Sequence, residues 1–252
     1  MPPSRTGSRV AHVIPFTPVL RDRLAGNLAR HSRREHALDG LRHAAVAIVV
    51  VASDAERDGH DPFPIEPDYF AGLPSDVTGL DGRMSGVAGG AAFLLCRRAS
   101  KLRAHAGQWA LPGGRCDGSE TAPEAALREL HEELGLPLGE DSVLGLLDDY
   151  VTRSGYVITP VVVWGGGDVG LVPDPAEVAH AYRIGLHELC RADSPRFATI
   201  AESNRPVVEV PLGGDLIYAP TAAMLVQFRW VAIEGRIDER VDGFEQPVFA
   251  WR

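Results

Sequence analysis

The sequence predicts an α+β chain in which a mixed β-sheet lies between α-helices, with a helical arm at the N-terminus. Three observations carry this reading. Apolar runs of strand length recur without a regular βαβ alternation. The longest, "AAVAIVVVA" (Ala44–Ala52), is β-branched and too short to span a bilayer, so it reads as a buried strand. Other segments carry helical periodicity instead, at Pro18–Ser32, in the stretch that ends at Gly135, and at Thr221–Gly235. A chain of 252 residues with 45% hydrophobic content fits one large domain, or one domain with additions, around a sizeable core.

Taken in order, "PVLRDRLAGNLARHS" sets Leu20, Leu24 and Leu28 four apart with arginines between them, an amphipathic helix that is expected to pack on its own domain. It belongs to an arm, residues 1–43, with eight Arg against three acidic residues, a balance of +5, so the rest of the chain carries −14. The main domain is expected over residues 44–252. Behind its first strand, residues 53–90 are rich in Gly, Pro and Asp and lack sustained periodicity, which reads as a long loop. A lid, a contact between two copies in a homodimer and a disordered segment all remain open for it. "AAFLLCRR" (Ala91–Arg98) is the next strand. "VLGLLDDYVTR" and "GYVITPVVVW" read as a strand pair turning at Ser154–Gly155, and "AEVAHAYRIGLHEL" as a loop and strand. "TAAMLVQFRWVAIEG" closes the domain as a helix with Leu225, Phe228 and Ala232 on one side.

Composition narrows the function. A net charge of −9 argues against nonspecific nucleic-acid binding through a global basic surface. Three scattered cysteines, Cys96, Cys116 and Cys190, form no CxxC, so neither a disulfide framework nor a cysteine zinc site is indicated. Reduced thiols in a cytoplasm are the simplest account. "MPPSRTGSRVAHVIPF" has no apolar signal core, and no membrane partner is expected.

The chemistry concentrates in "GRCDGSETAPEAALRELHEELGL", Gly114–Leu136, where six acidic residues fall within twenty positions. Thr121 and Glu124 have capping-box spacing, Pro123 suits a first turn, and Gly135 suits a C-terminal stop. Leu127, Leu130 and Leu134 form the stripe expected to be buried, with Glu129, Glu132 and Glu133 on the other side. Like charges so close repel, so the cluster is either a solvated face or a set held together by a hard divalent cation. Upstream, "LPGGR" offers a glycine turn that lets backbone approach a metal or phosphate.

The whole pattern resembles the Nudix box. Gly114, Glu120, Arg128, Glu129, Glu132, Glu133 and Gly135 match its seven fixed identities, and Leu130 and Leu136 its two apolar sites. The resemblance implies a Nudix fold and hydrolysis of a nucleoside diphosphate linked to another group, with Mg²⁺ or Mn²⁺ as cofactor and a small-molecule substrate. Carried over by position, Glu129, Glu132 and Glu133 would be metal ligands, with the Gly113 carbonyl as a fourth. Glu120 would pair with Arg128 and brace the loop. The general base would be a box glutamate, Glu129, or a downstream loop residue, for which Glu177 is the candidate.

The preceding segment, "LLCRRASKLRAHAGQWALPGGRCD", is similar to the coenzyme A pyrophosphatase subgroup at Arg98, Leu102, Arg103, His105, Gly107 and Gln108. That similarity implies substrate contacts from Arg98, Arg103, His105 and Gly114. Arg97, Arg98, Lys101, Arg103 and His105 also concentrate positive charge, and arginine can grip phosphate bidentately. Ala99 departs from the subgroup's Ser or Thr, and Trp109-Ala110-Leu111 resembles Nudix enzymes in general. Hydrolysis of ADP-ribose, a dinucleotide or an oxidised nucleotide therefore stays open, as does a non-catalytic Nudix-fold binding module.

Overall fold

The computed structural model describes residues 12–63, 70, 75–99, 108–167 and 169–251. Its centre is β1 (Arg42–Ser53), whose residues Ala47–Val51 have no exposed surface. Side chains of a strand alternate between faces, and both faces of β1 are covered, so the run is apolar throughout. Ile48 and Val50 enter one core, while Ala45, Ala47, Val49 and Val51 enter the other.

β1 pairs in parallel with β7 (Tyr156–Gly166) along one edge, from Arg42 opposite Tyr156 to Val50 opposite Trp164. On its other edge two antiparallel partners divide its length. β2 (Gly90–Arg98) takes Val50–Ser53, and β4 (Gly113–Arg115) takes Ala44–Val46. The short β3 (Trp109–Ala110) pairs with β2 at Cys96 and Arg97. Residues 109–115 thus fill a wedge between β1 and β2. β8 (Val178–Gly185) borders β2, while β5 (Val143–Leu146) and β6 (Tyr150–Val151) border β7, completing an eight-stranded mixed sheet. α3 (Ala122–Leu134) packs on one face through Ala125, Leu130 and Leu134.

The opposite face is covered by α1 (Pro18–Arg30) and by α5 (Thr221–Gln227), which continues as a π-helical turn over Phe228–Ile233. The single helix expected over Thr221–Gly235 therefore changes geometry midway. All of Thr221–Phe228 is buried, so no polar side of α5 exists to show helical amphipathicity. Leu225, Phe228 and Ala232 are each fully buried, as is Gln227. The amphipathic arm helix contributes Leu20, Leu24 and Leu28 to the same core as α5.

Three features depart from the sequence expectation. The first is an unanticipated three-stranded antiparallel sheet, β9 (Arg196–Ile200), β10 (Ser203–Leu212) and β11 (Asp215–Tyr218). The second is the segment read as a long irregular loop. It contains α2 (Ala55–Asp58), capped by the Asp54 carboxylate, and it buries Asp61, Met84 and Val87. The third is the strand expected ahead of Ser154, which splits into β5 and β6 because Asp148 and Asp149 turn inward. Asp148 receives His31 Nε2 at 2.9 Å, the Arg34 amide at 2.8 Å and Gln227 Nε2 at 2.8 Å. Asp149 receives Arg33 Nη2 at 2.7 Å, the His36 amide at 2.8 Å and the Thr159 hydroxyl at 2.6 Å. These two carboxylates fasten residues 31–36 to the sheet. No described helix is long and apolar enough to cross a membrane.

Leu24 is wholly buried between α1 and the sheet. Leu24→Ala is expected to lower unfolding free energy by ~2–5 kcal/mol in chemical denaturation. A loss below ~0.5 kcal/mol, the range of ordinary surface substitutions, would mean that α1 is no part of the core.

Candidate active site

α3 begins with the capping box that its sequence predicts. The Thr121 amide donates to Glu124 at 2.7 Å, and the Thr121 hydroxyl accepts from the Glu124 amide. It ends at Gly135, whose backbone is left-handed with φ of 62°. Fixed at both ends, the helix holds its carboxylates in three different environments. The Glu132 side chain is 59% exposed and that of Glu129 16% exposed, whereas Glu133 is only 4% exposed. The expectation that all three lie on the outer side is corrected for Glu133. At 100° per residue it stands only about 60° from Leu130, on the border of the buried stripe, where β4 covers it.

β4 shapes the floor. The Gly113 amide donates to Glu133 Oε2 at 3.1 Å. A Cβ on Gly113 would fall 2.3 Å from the Ala45 carbonyl oxygen, so this residue must be glycine for β4 to lie against β1. A Cβ on Gly114 would fall 2.1 Å from Glu129 Oε1, so its glycine keeps space for a carboxylate.

Arg128 organises the outer side. Its Nε and Nη2 donate to the two oxygens of Glu120 at 2.8 and 3.2 Å, and Nη2 also reaches the Arg115 carbonyl at 3.0 Å. Its Nη1 donates to Glu129 at 3.0 Å and Glu132 at 2.9 Å. One guanidinium thus ties the loop before α3 to the helix itself.

Glu177 approaches from the loop before β8. Its carbonyl accepts from the Ala99 amide at 2.8 Å, and the Asp174 amide donates to the Glu133 carbonyl at 2.9 Å. These bonds fix the loop between the end of β2 and the end of α3. The Glu177 side chain is exposed, and its charge acts on both Glu129 and Glu133. Burial, followed by the charges of Glu129 and Glu177, pushes the Glu133 carboxyl up to about 7 against the opposing Gly113 amide and Arg98. Burial also raises Glu129, although Arg128 opposes it.

The two adjacent arginines at the end of β2 part company. Arg98 acts on Glu133, and its buried Nε has no hydrogen-bond acceptor among the described residues. Arg97 lies over the rings of Phe63, at 4.8 Å, and Trp109, at 5.9 Å. Trp109 in turn donates to Asp215 at 2.8 Å. The grouping of Arg97 with a phosphate-binding cluster is therefore corrected: strand alternation turns it to the opposite face of the sheet. Arg103 and His105, expected as substrate contacts, lie outside the described residues, as do Lys101, Leu102 and Gly107. Cys96 forms part of the wall, its thiol pushed up by burial, and no disulfide joins the three cysteines.

Among the described residues, no three carboxylate, imidazole or thiol groups converge into a ready cation site. The chemistry of the donors nevertheless fits a hard cation. The charge of Glu177 opposes ionisation of Glu129 and Glu133, Glu129 also opposes that of Glu133, and Glu133 has only an amide and the charge of Arg98 in compensation.

Residues 85–203 match the sequence model of the NUDIX domain. The chain is thus similar to the NUDIX domain over those residues. It is similar to a Yersinia enterocolitica protein named uncharacterized Nudix hydrolase NudL, at 42% identity over 39% of this chain and 51% of the relative. A Yersinia pestis protein of the same name is also 42% identical, over 38% of this chain and 49% of its own length. The chain thus spans about half the length of the curated relatives it matches. Among solved structures, it is similar to a MutT/nudix family protein from Enterococcus faecalis, with 14% identity and a TM-score of 0.49, covering 81% of this chain and 66% of that one. The MutT protein of Methanosarcina mazei has 19% identity and a TM-score of 0.37, covering 64% and 84%.

Sequence reading did not foresee how the Gly113 amide serves Glu133, nor the separation of Arg97 from Arg98. The second was available from strand parity, since Phe93 and Leu95 share a core with the Arg97 side of β2.

The two glycines are expected to fail differently. Gly113→Ala meets backbone and should cost ~1–3 kcal/mol of stability, as overpacking does. Gly114→Ala meets only the end of a side chain, so melting temperature should change little while Glu129 is displaced. Calorimetry and a crystal structure of the second variant check this; an unmoved Glu129 would refute it.

Proposed function

We propose that this chain is a divalent-cation-dependent hydrolase of a phosphoric anhydride, and that its substrate is coenzyme A or an acyl derivative. The products would be 3′,5′-ADP and 4′-phosphopantetheine or its acyl form. The observation that carries the reading is the pair Glu129 and Glu133 beside the Gly113–Gly114 turn, both held above the ordinary carboxylate range with the charge of Glu177 acting on each. Glu129, Glu132, Glu133 and the Gly113 carbonyl would hold Mg²⁺ or Mn²⁺. When bound, the cation supplies neutralisation of the anhydride and a more acidic water.

The protein's own groups do the remaining work. Glu177, or Glu129, takes the proton from the attacking water. Arg128 must release Glu129 and Glu132 for both to become ligands, while its paired bonds to Glu120 keep the loop in place. Arg98 offers an Nε–H without an acceptor among the described residues, suited to a phosphate oxygen. Coenzyme A carries a 3′-phosphate beyond its pyrophosphate, and Arg98, with Arg103 and His105 of the same motif, supplies the extra cationic contacts. The presence of all three of Glu129, Glu132 and Glu133 also favours this reading over a binding module, which could lose them without penalty. Within the basic arm, Arg33 and Arg34 pair with Asp149 and Asp242.

Burial at Glu133 allows function and stability to be separated. A carboxyl raised from 4.5 to about 7 in the folded state destabilises the fold as pH climbs through that interval. In EDTA the wild type should lose melting temperature across this window, and Glu133→Gln should not. Mg²⁺ or Mn²⁺ should restore the wild type alone, and Glu133→Gln should lose most of kcat. Full activity of wild type in EDTA, or of Glu133→Gln with metal, would sink the assignment.

Substrate identity is tested by comparing coenzyme A with dephospho-coenzyme A, products being identified by mass. Arg98→Ala should reduce the preference for coenzyme A by about ten- to a hundredfold in kcat/KM, the worth of one charge-assisted hydrogen bond. Equal losses on both substrates would place Arg98 on the pyrophosphate. Turnover of ADP-ribose with none of coenzyme A would leave the hydrolase reading and remove this substrate.

A further inference from the structure

Glu177 is exposed, so its place near Glu129 and Glu133 depends on the backbone that carries it. In "PDPAEV" (Pro173–Val178), Asp followed by Pro is the preferred opening of a type I turn, and an Asp side chain can accept from the amide two residues on. The structure forms such a turn around Asp174. Its Oδ1 accepts from the Ala176 amide at 2.9 Å. Its carbonyl accepts from the Glu177 and Val178 amides at 3.0 and 2.8 Å, and its amide donates to the Glu133 carbonyl at 2.9 Å. One residue thus joins the end of α3 to the turn that carries Glu177.

Both ends of the turn are anchored. The Val172 amide donates to the Leu134 carbonyl at 2.8 Å, and a Cβ on Gly135 would fall 3.0 Å from Val172 Cβ, so this segment lies directly against the helix end. Val178 is buried in the same core as Leu130 and Leu134, and the Ala99 amide holds the Glu177 carbonyl. Between these anchors, residues 175–177 follow a path set by the Asp174 carboxylate and by Pro175, whose ring fixes φ.

We propose that Asp174 is a positioning residue: its carboxylate shapes the turn and so sets where the Glu177 carboxylate stands relative to Glu129 and Glu133. The inference rests on the hydrolase reading with Glu177 as the base.

Kinetics are measured with Mg²⁺ and whichever of coenzyme A and ADP-ribose the wild type hydrolyses. Asp174→Ala should lower kcat about three- to thirtyfold, the worth of one capping hydrogen bond, with KM within about twofold. Asp174→Asn keeps the acceptor oxygen without the charge and should retain kcat within about twofold. Glu177→Gln should lose about a hundredfold or more, as removal of a general base does. In the Glu177→Gln background, Asp174→Ala should cost nothing further, because it acts through the group already removed. In EDTA without substrate, the Ala176 amide should exchange with solvent about three- to thirtyfold faster in Asp174→Ala and unchanged in Asp174→Asn.

Additive losses in the double variant would make Asp174 structural only. Unchanged kcat or unchanged exchange in Asp174→Ala, beside an impaired Glu177→Gln, would overturn the positioning role and leave Glu177 as the base. Asp174→Asn as slow as Asp174→Ala would assign the effect to charge, against the proposal. An unimpaired Glu177→Gln, or no hydrolysis of either substrate by the wild type, would remove the underlying reading and this inference with it.

Discussion

Burial of β1 on both faces is the constraint on which the remaining structure depends. A strand with no exposed surface over Ala47–Val51 must satisfy its backbone entirely within the sheet. It does so with β7 along one edge and with β2, β4 and the Pro112 carbonyl along the other. Because β2 and β4 share that edge, β2 must diverge from β1, and the chain between them is forced into the gap. That forced return places Gly113 and Gly114 beneath α3. The glycine turn therefore owes its position to the sheet, and the carboxylates owe theirs to helix phase.

Helix phase also explains the division of labour among the glutamates. A stripe of Leu127, Leu130 and Leu134 fixes α3 on the second core. Glu132 is then outermost, Glu129 is largely covered, and Glu133 is inside. Arg128 pairs with the outer two but leaves Glu133 to a single amide and the influence of Arg98. The site is thus polarised. Its exterior shares one resident guanidinium, and its interior holds a desolvated carboxyl, the condition under which a divalent ion gains most.

Much of this was legible from residue order alone. The capping box, the left-handed stop at Gly135 and the leucine stripe have local signals, and α3 follows them closely. β1 and β2 were equally plain because buried strands are apolar runs. What escaped was non-local. The interruption between β5 and β6 depends on partners for Asp148 and Asp149 more than a hundred residues away, at His31 and Arg33. β9–β11 have short, mixed patterns; β10 alternates poorly because residues Val207–Leu212 are all buried. The Arg97–Arg98 division needed only strand parity, but charge drew the two together in the sequence reading. For Arg103 and His105, the sequence motif remains the whole basis of their assignment.

The distribution of charge resolves the contrast between a basic arm and an acidic body. Arg33 bridges Glu35 and Asp149, Arg34 meets Asp242, and Arg42 lies 3.9 Å over the Tyr156 ring. Among the described residues, Arg33, Arg34 and Arg42 of the arm are thus engaged in fastening it to the domain. The acidic excess that remains includes the carboxylates of α3, which would repel a pyrophosphate on their own. An anionic substrate can approach only if that charge is reversed locally. The fold supplies one such element at Arg98, whose Nε lacks an acceptor among the described residues. In the proposed function the glutamates of α3 would recruit the rest as a cation. Under the proposed function, acidic composition and an anionic substrate are compatible, because the carboxylates would act on phosphate through a cation.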